Sequence, residues 1–171
     1  MAKGARMNIW LIADQHFYHN NILMWRDDKA RRKFPSVDKM NKTMINNHNE
    51  IVRAGDITYH LGDFSFAKGW QDTRHILEKL NGGHVLIFGN HDLFRHWEYL
   101  EMGFESVHSS LELGDFTLVH DPAVAGVLTH KNYIHGHTHG LGKRLAPNTY
   151  SVSVEMTDYY PVNLQTIIEE W

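Results

Sequence analysis

The chain has 171 residues, 42% of them apolar, which predicts one domain with a substantial core. A formal net charge of −3 gives no overall attraction to nucleic acid or to an anionic membrane, so a partner has to be recognised by a local site. With no cysteine, disulfides, thiolate metal sites and iron–sulfur clusters are excluded, and a reducing compartment, the cytoplasm, is the expectation.

Residues 1–6 read as a polar leader ahead of Met7. The apolar run Ile9-Trp10-Leu11-Ile12-Ala13 is too short for a signal-peptide core or a membrane span, so no membrane partner is expected. Residues 7–13 predict a strand that stops abruptly at Asp14. A helix follows over 37–52, with Ser36 as N-cap and Met40, Met44, His48 and Ile51 on one face. A strand over 57–61 comes next, then a helix marked by Ile76, Leu77 and Leu80 and stopped by Asn81-Gly82-Gly83. A strand over 84–88 and a helix over 93–102 complete a β-α-β-α-β opening. In the second half, 106–113 and 115–119 flank Gly114 like a hairpin, 132–134 is a short strand, and 150–156 alternates as a last strand before a C-terminal helix. The pattern predicts an α/β fold of two packed sheets with helices outside.

Chemistry-bearing residues stand at the ends of five of these strands: Asp14-x-His16, Gly62-Asp63, Gly89-Asn90-His91-Asp92, His120, and Gly136-His137-Thr138-His139. Each motif alone has an ordinary meaning. Asp-x-His is a common loop sequence, Gly-Asp a turn, Gly-Asn-His-Asp a capped helix start, and a lone histidine a core residue. Gly55-Asp56 competes with Gly62-Asp63 but follows a helix, whereas Asp63 follows a strand, so Asp63 is preferred. In open α/β sheets ligands collect at the carboxyl ends of strands, and five sets of oxygen and imidazole donors in that position point to a two-metal hydrolytic centre. Such a donor set suits manganese, iron, zinc, nickel or cobalt.

This ordered motif set, spanning residues 14 to 139, resembles the calcineurin-like metallophosphoesterase superfamily. The resemblance implies a four-layer α-β-β-α sandwich of two mixed sheets flanked by helices. It implies one divalent metal ion held by Asp14, His16, Asp63 and His139 and a second held by Asp63, Asn90, His120 and His137, with Asp63 bridging and manganese the first expectation. It also implies that His91, not a ligand, stands over the bound phosphoryl group as a catalytic residue, supported by Asp92. In this reading a water activated by the two ions attacks the ester in line and His91 protonates the leaving oxygen.

Departures from relatives narrow the subfamily. Gly62-Asp63-Phe64-Ser65-Phe66 lacks the Asp-Arg-Gly extension of the Ser/Thr protein phosphatases, and Gly-Asn-His-Asp replaces their Gly-Asn-His-Glu. Phe66 stands where purple acid phosphatases carry an iron-binding tyrosine, and the similar pyrophosphatases of the lipid A pathway usually carry arginine where His91 stands. What remains looks like the small uncapped bacterial, archaeal and phage phosphoesterases. An uncapped site favours small nucleotide-like or cyclic diesters as substrate, with nuclease and monoesterase activity as alternatives and a non-catalytic protein-binding scaffold last. Arg26, Lys29, Arg31, Arg32 and Lys33 form a basic cluster behind Trp25, which could stack on a base, although a solvated basic segment explains the cluster better. His19, Asn20, Arg95, Lys143 and Arg144 lie near motifs and could line a phosphate pocket, and Trp10, Trp70, Trp97 and Trp171 read as core or edge packing.

Overall fold

A computed structural model describes residues 7–25, 33–123 and 131–171. The leader and Arg26 to Arg32 of the basic cluster therefore lie outside the described residues. The first sheet contains β4 (Ser106–His108), β3 (Gly83–Ile87), β2 (Ile57–His60), β1 (Ile9–Ile12) and β9 (Val162–Asn163), in that order. Its strands run parallel except for β9, which pairs antiparallel with β1. The second holds β5 (Leu111–Leu113), β6 (Phe116–Leu118), β7 (Asn132–His135) and β8 (Thr149–Ser151), parallel except at β5. Both sheets are mixed, and with helices against them the fold is the expected α/β sandwich.

Two apolar layers hold the sheets in place. One lies between the first sheet and the helices α2 (Val37–Ile51), α3 (Trp70–Leu77) and α4 (His96–Met102), and is filled by Met40, Met44, Ile76, Leu77, Tyr99 and Met102. The other joins the sheets face to face through Leu11, Ala13, Leu61, Ile87, Leu118, Ile134 and Tyr150, with Ile167 of α5 (Leu164–Glu170) inserted into it. Ser36 caps α2 as its sequence predicts, Oγ accepting from the Lys39 amide at 3.2 Å, so the helix starts where the buried Met40 and Met44 can share a face. No helix among the described residues is long and apolar enough to cross a membrane.

The structure departs from the predicted elements in five places. Residues 106–113 are not one strand: β4 joins the first sheet and β5 the second, and only β5 and β6 form the hairpin about Gly114. The helix expected from Leu93 begins at His96, because the Glu98 carboxylate accepts from the Arg95 amide at 2.7 Å and sets the first turn there. The strand expected over 150–156 stops at Ser151, and just beyond it the chain meets the end of β1 through an isolated bridge between Ser153 and Ala13. The short helix α1 (Ile22–Trp25) and the edge strand β9 lie outside the predicted elements, because neither is long enough to carry a periodic signal.

Candidate metal centre

The loops after β1 and β2 are laced together by their backbones. Asp14, His16 and Phe17 donate their amides to the carbonyls of Gly62, Asp63 and Phe64 at 2.9–3.1 Å. This lacing brings Asp14, His16 and Asp63 to one point at the carboxyl end of the first sheet. The Gly136 amide donates to the His120 carbonyl at 3.1 Å and does the same for the loops of the second sheet. Gly62 and Gly89 are needed for the approach. A Cβ on Gly62 would lie 2.4 Å from His120 Nδ1, and one on Gly89 would lie 2.2 Å from Asp63 Oδ1.

Eight described non-glycine residues have positive φ, and five are predicted ligands: Asp14, His16, Asp63, His137 and His139. Left-handed backbone is uncommon for any residue but glycine, though least so for Asp and His, and it gathers where a site has to aim its side chains. For Asp14 and His16, two apart just beyond β1, it turns the backbone so that both side chains reach one centre.

Ligand atoms of Asp14, His16 and His139 lie within 4.8 Å of one another, and so do those of Asp14, Asp63 and His120. Asp63 Oδ2 is 3.5 Å from both His16 Nε2 and His120 Nε2, a position between the two groups. Asn90 Oδ1 approaches His120 Nε2 at 2.9 Å and His137 Nδ1 at 3.0 Å, and those two ring nitrogens are 3.2 Å apart. The seven predicted donors are thus brought together. Three acceptor-capable atoms crowding one point are best satisfied by a cation, and an all-oxygen-and-imidazole donor set suits a divalent transition metal.

Hydrogen bonds set which nitrogen faces the centre. His120 Nδ1 meets the Leu61 carbonyl at 2.8 Å, which holds the proton on Nδ1 and leaves the Nε2 lone pair facing Asp63. His139 Nδ1 meets Glu155 Oε1 at 3.0 Å in the same manner. The Asp14 carboxylate accepts from the His137 amide at 3.0 Å and from Ser153 Oγ at 2.5 Å. Burial raises the Asp14 pKa, while His139, His120 and the Ser153 hydroxyl oppose the shift. Glu155 and Ser153 carry no spacing signal, because they lie in a stretch whose alternation predicts a strand.

His91 is exposed beside this group, its ring 5.8 Å from that of His16 and 4.9 Å from Phe66. Its amide donates to Asp63 Oδ1 at 2.9 Å. Asp92 is buried, and its carboxylate accepts from the amides of Asp63 and Gly89 at 2.8 Å and of Phe64 at 3.0 Å. It therefore clamps the loop after β2 to the loop after β3, a role the motif did not suggest. Burial, reinforced by the neighbouring Asp63 carboxylate, pushes its pKa up to about 6.

Other candidates are structural. Asp56 of the rival Gly-Asp pair takes hydrogen bonds from Asn8, Trp10 and Arg53; burial pushes its pKa up, but these donors outweigh it and hold the carboxyl below its usual value. Lys143 and Arg144 bind Glu170 and its carbonyl on α5, and Arg95 stands at the start of α4. His19 does lie near the centre, its ring 5.8 Å from that of His16. Trp10 and Trp171 pack at edges, the latter against Phe116 with ring centroids 4.9 Å apart, whereas Trp97 is largely exposed.

An uncharacterized protein of Methanocaldococcus jannaschii, MJ1445, is 37% identical over 94% of this chain and 89% of its own length. The crystal structure of AQ665, a protein of unknown function from Aquifex aeolicus, shares the fold with a TM-score of 0.75 at 23% identity, over 97% of this chain and all of that one. The structure of an archaeal phosphodiesterase aligns with a TM-score of 0.49 at 17% identity, over 88% of this chain and 84% of that one. No protein-family model matches the chain.

Proposed function

On the premise that the chain belongs to the family of this uncharacterized Methanocaldococcus jannaschii protein, we propose that it is a binuclear metal-dependent phosphoesterase, foremost a phosphodiesterase for nucleotide-like diesters. The observation that carries the reading is the convergence of oxygen and imidazole donors from four loops on two overlapping groups, with Asn90 of a fifth against His120 and His137, and Asp63 Oδ2 equidistant from His16 and His120. Asp14, His16, Asp63 and His139 would hold one ion, and Asp63, Asn90, His120 and His137 the other. Bound divalent ions, manganese first among those suited, supply positive charge for the phosphate oxygens and acidify a water for in-line attack.

The protein's own groups do the rest. Leu61 and Glu155 keep the lone pairs of His120 and His139 aimed inward. His91, exposed at the rim and tethered by its amide to Asp63, is free to donate a proton to the leaving oxygen. Exposure of Asn90, His91 and His137 leaves the mouth open, which favours small diesters and keeps an accessible nucleic-acid end as an alternative substrate.

The test is hydrolysis of bis-p-nitrophenyl phosphate and p-nitrophenyl phosphate by metal-stripped protein restored with manganese, alongside His91→Ala. Metal-dependent diester turnover that falls at least a hundredfold in the variant, with metal content retained, supports the reading. A monoester preference would make the protein a phosphatase. Bound metal without activity on either ester would favour a binding scaffold.

A further inference from the structure

We propose that the cavity beside His139 is a base-binding platform that seats the flat ring of a nucleotide ester while the metal centre holds its phosphate. The inference rests on the phosphoesterase reading and names the substrate class of the same site. The cavity measures about 410 Å³, within the range of about 300–1,000 Å³ usual for small-molecule sites. Its lining includes Ile22, Trp25, Thr138, His139, Leu141 and Glu155. Because His139 belongs to both the cavity wall and the ligand cluster, whatever occupies the cavity is contiguous with whatever the ligands hold.

The lining chemistry selects the occupant. Ile22 and Trp25 are three apart on α1 and so share a face, Ile22 buried at 4% exposure and Trp25 left 80% exposed. Leu141, the other apolar contributor, is 78% exposed. An indole and a leucine left in water beside a polar centre offer stacking area that the protein's own core does not use, and every base has a π-face to cover it. The polar edge comes from Glu155 and Thr138. The Thr138 hydroxyl there can accept from ring or exocyclic N–H groups, which a base supplies and an alkyl chain does not. Together these features fit a purine or pyrimidine better than a lipid tail or a sugar phosphate.

The test separates the ring from the ester. With manganese-loaded protein, KM is measured by phosphorus NMR for the methyl ester of adenosine 5′-phosphate and for the base-free methyl ester of ribose 5-phosphate. Trp25→Ala should raise the ratio of the two KM values about tenfold, Trp25→Phe should keep most of the preference, and Trp97→Ala, another exposed tryptophan outside the lining, should leave the ratio where it is. Independently of turnover, saturation-transfer NMR on metal-free protein should show adenosine touching through its base protons, with the signal lost in Trp25→Ala. Equal KM values for the two esters, or no base contact, would overturn the platform while hydrolysis itself upheld the phosphoesterase reading. Adenosine contact dependent on Trp25 without hydrolysis of either ester would support the platform and reject that reading.

Discussion

His60 and His84 meet ring to ring inside the protein, Nε2 of the first 3.1 Å from Nδ1 of the second. The contact extends to a chain. The Gln15 side-chain nitrogen lies 2.6 Å from His60 Nδ1, and His84 Nε2 reaches the Leu80 carbonyl at 3.4 Å. With both rings neutral, each can donate onward in one direction, from the Gln15 amide through His60 and His84 to Leu80. His48 stacks alongside, its Nε2 on the Asn81 carbonyl at 2.8 Å. Gln15, between two predicted ligands, thus points its side chain backward into the core.

Acid should weaken this interior. Burial first, then the neighbouring imidazoles, lowers the pKa of His60 well below 6.5 and that of His84 to about 4; burial also lowers His48. Above pH 6.5 these rings are neutral folded or unfolded and stability is unaffected; between about 6.5 and 4 the unfolded chain binds protons the folded chain refuses, so stability falls with pH. For His84 alone the loss across that window is about 3 kcal/mol. Urea unfolding of metal-free protein from pH 7 to 4 should show the decline, and His84→Gln should flatten it. Comparing variant with parent cancels the carboxylates, which titrate in both, so identical slopes would refute the assignment.

Asp92→Ala should act on stability before chemistry. The substitution strands the amides of Asp63, Phe64 and Gly89, with a cost of about 3 kcal/mol. Metal affinity should weaken with it, because the loop carrying Asp63 loses its anchor; Asp92→Asn should retain part of both. Denaturant midpoints and a manganese titration measure the two effects. A variant as stable as the parent, binding manganese equally well but turning over slowly, would instead assign Asp92 to His91.

Glu155→Gln should lower metal affinity by about 10–100-fold, because a neutral amide holds the His139 imidazole less firmly and makes it less basic. Competition with a chelating dye reads this directly. Unchanged affinity would mean that the contact orients nothing.

The site was legible because its residues are chemically distinctive and stand where apolar strands end. Taken singly Asp14, Asp63, Asn90 and His120 have ordinary readings; their joint placement at strand ends and the family resemblance single them out as candidates. The supporting residues were harder to see: Ser153 and Glu155 are ordinary residues in a short apolar–polar alternation, and their importance comes from a bridge to Ala13 that no local pattern encodes. The split at Ser109-Ser110 was hidden for a related reason, since β4 and β5 have compatible strand composition and differ only in which sheet receives them. The branch from Gln15 to His60 and His84 crosses three elements separated by up to 69 positions, beyond any spacing rule.

The donors come from both halves of the molecule, Asp14 to Asn90 from strands of the first sheet and His120 to His139 from strands of the second. A cation gripped by both would act as a reversible rivet through the layer between them. Its contribution to cohesion would then follow the free metal level, each tenfold rise above the dissociation constant adding about 1.4 kcal/mol. Metal supply would set not only whether this protein works but how long its two halves stay together.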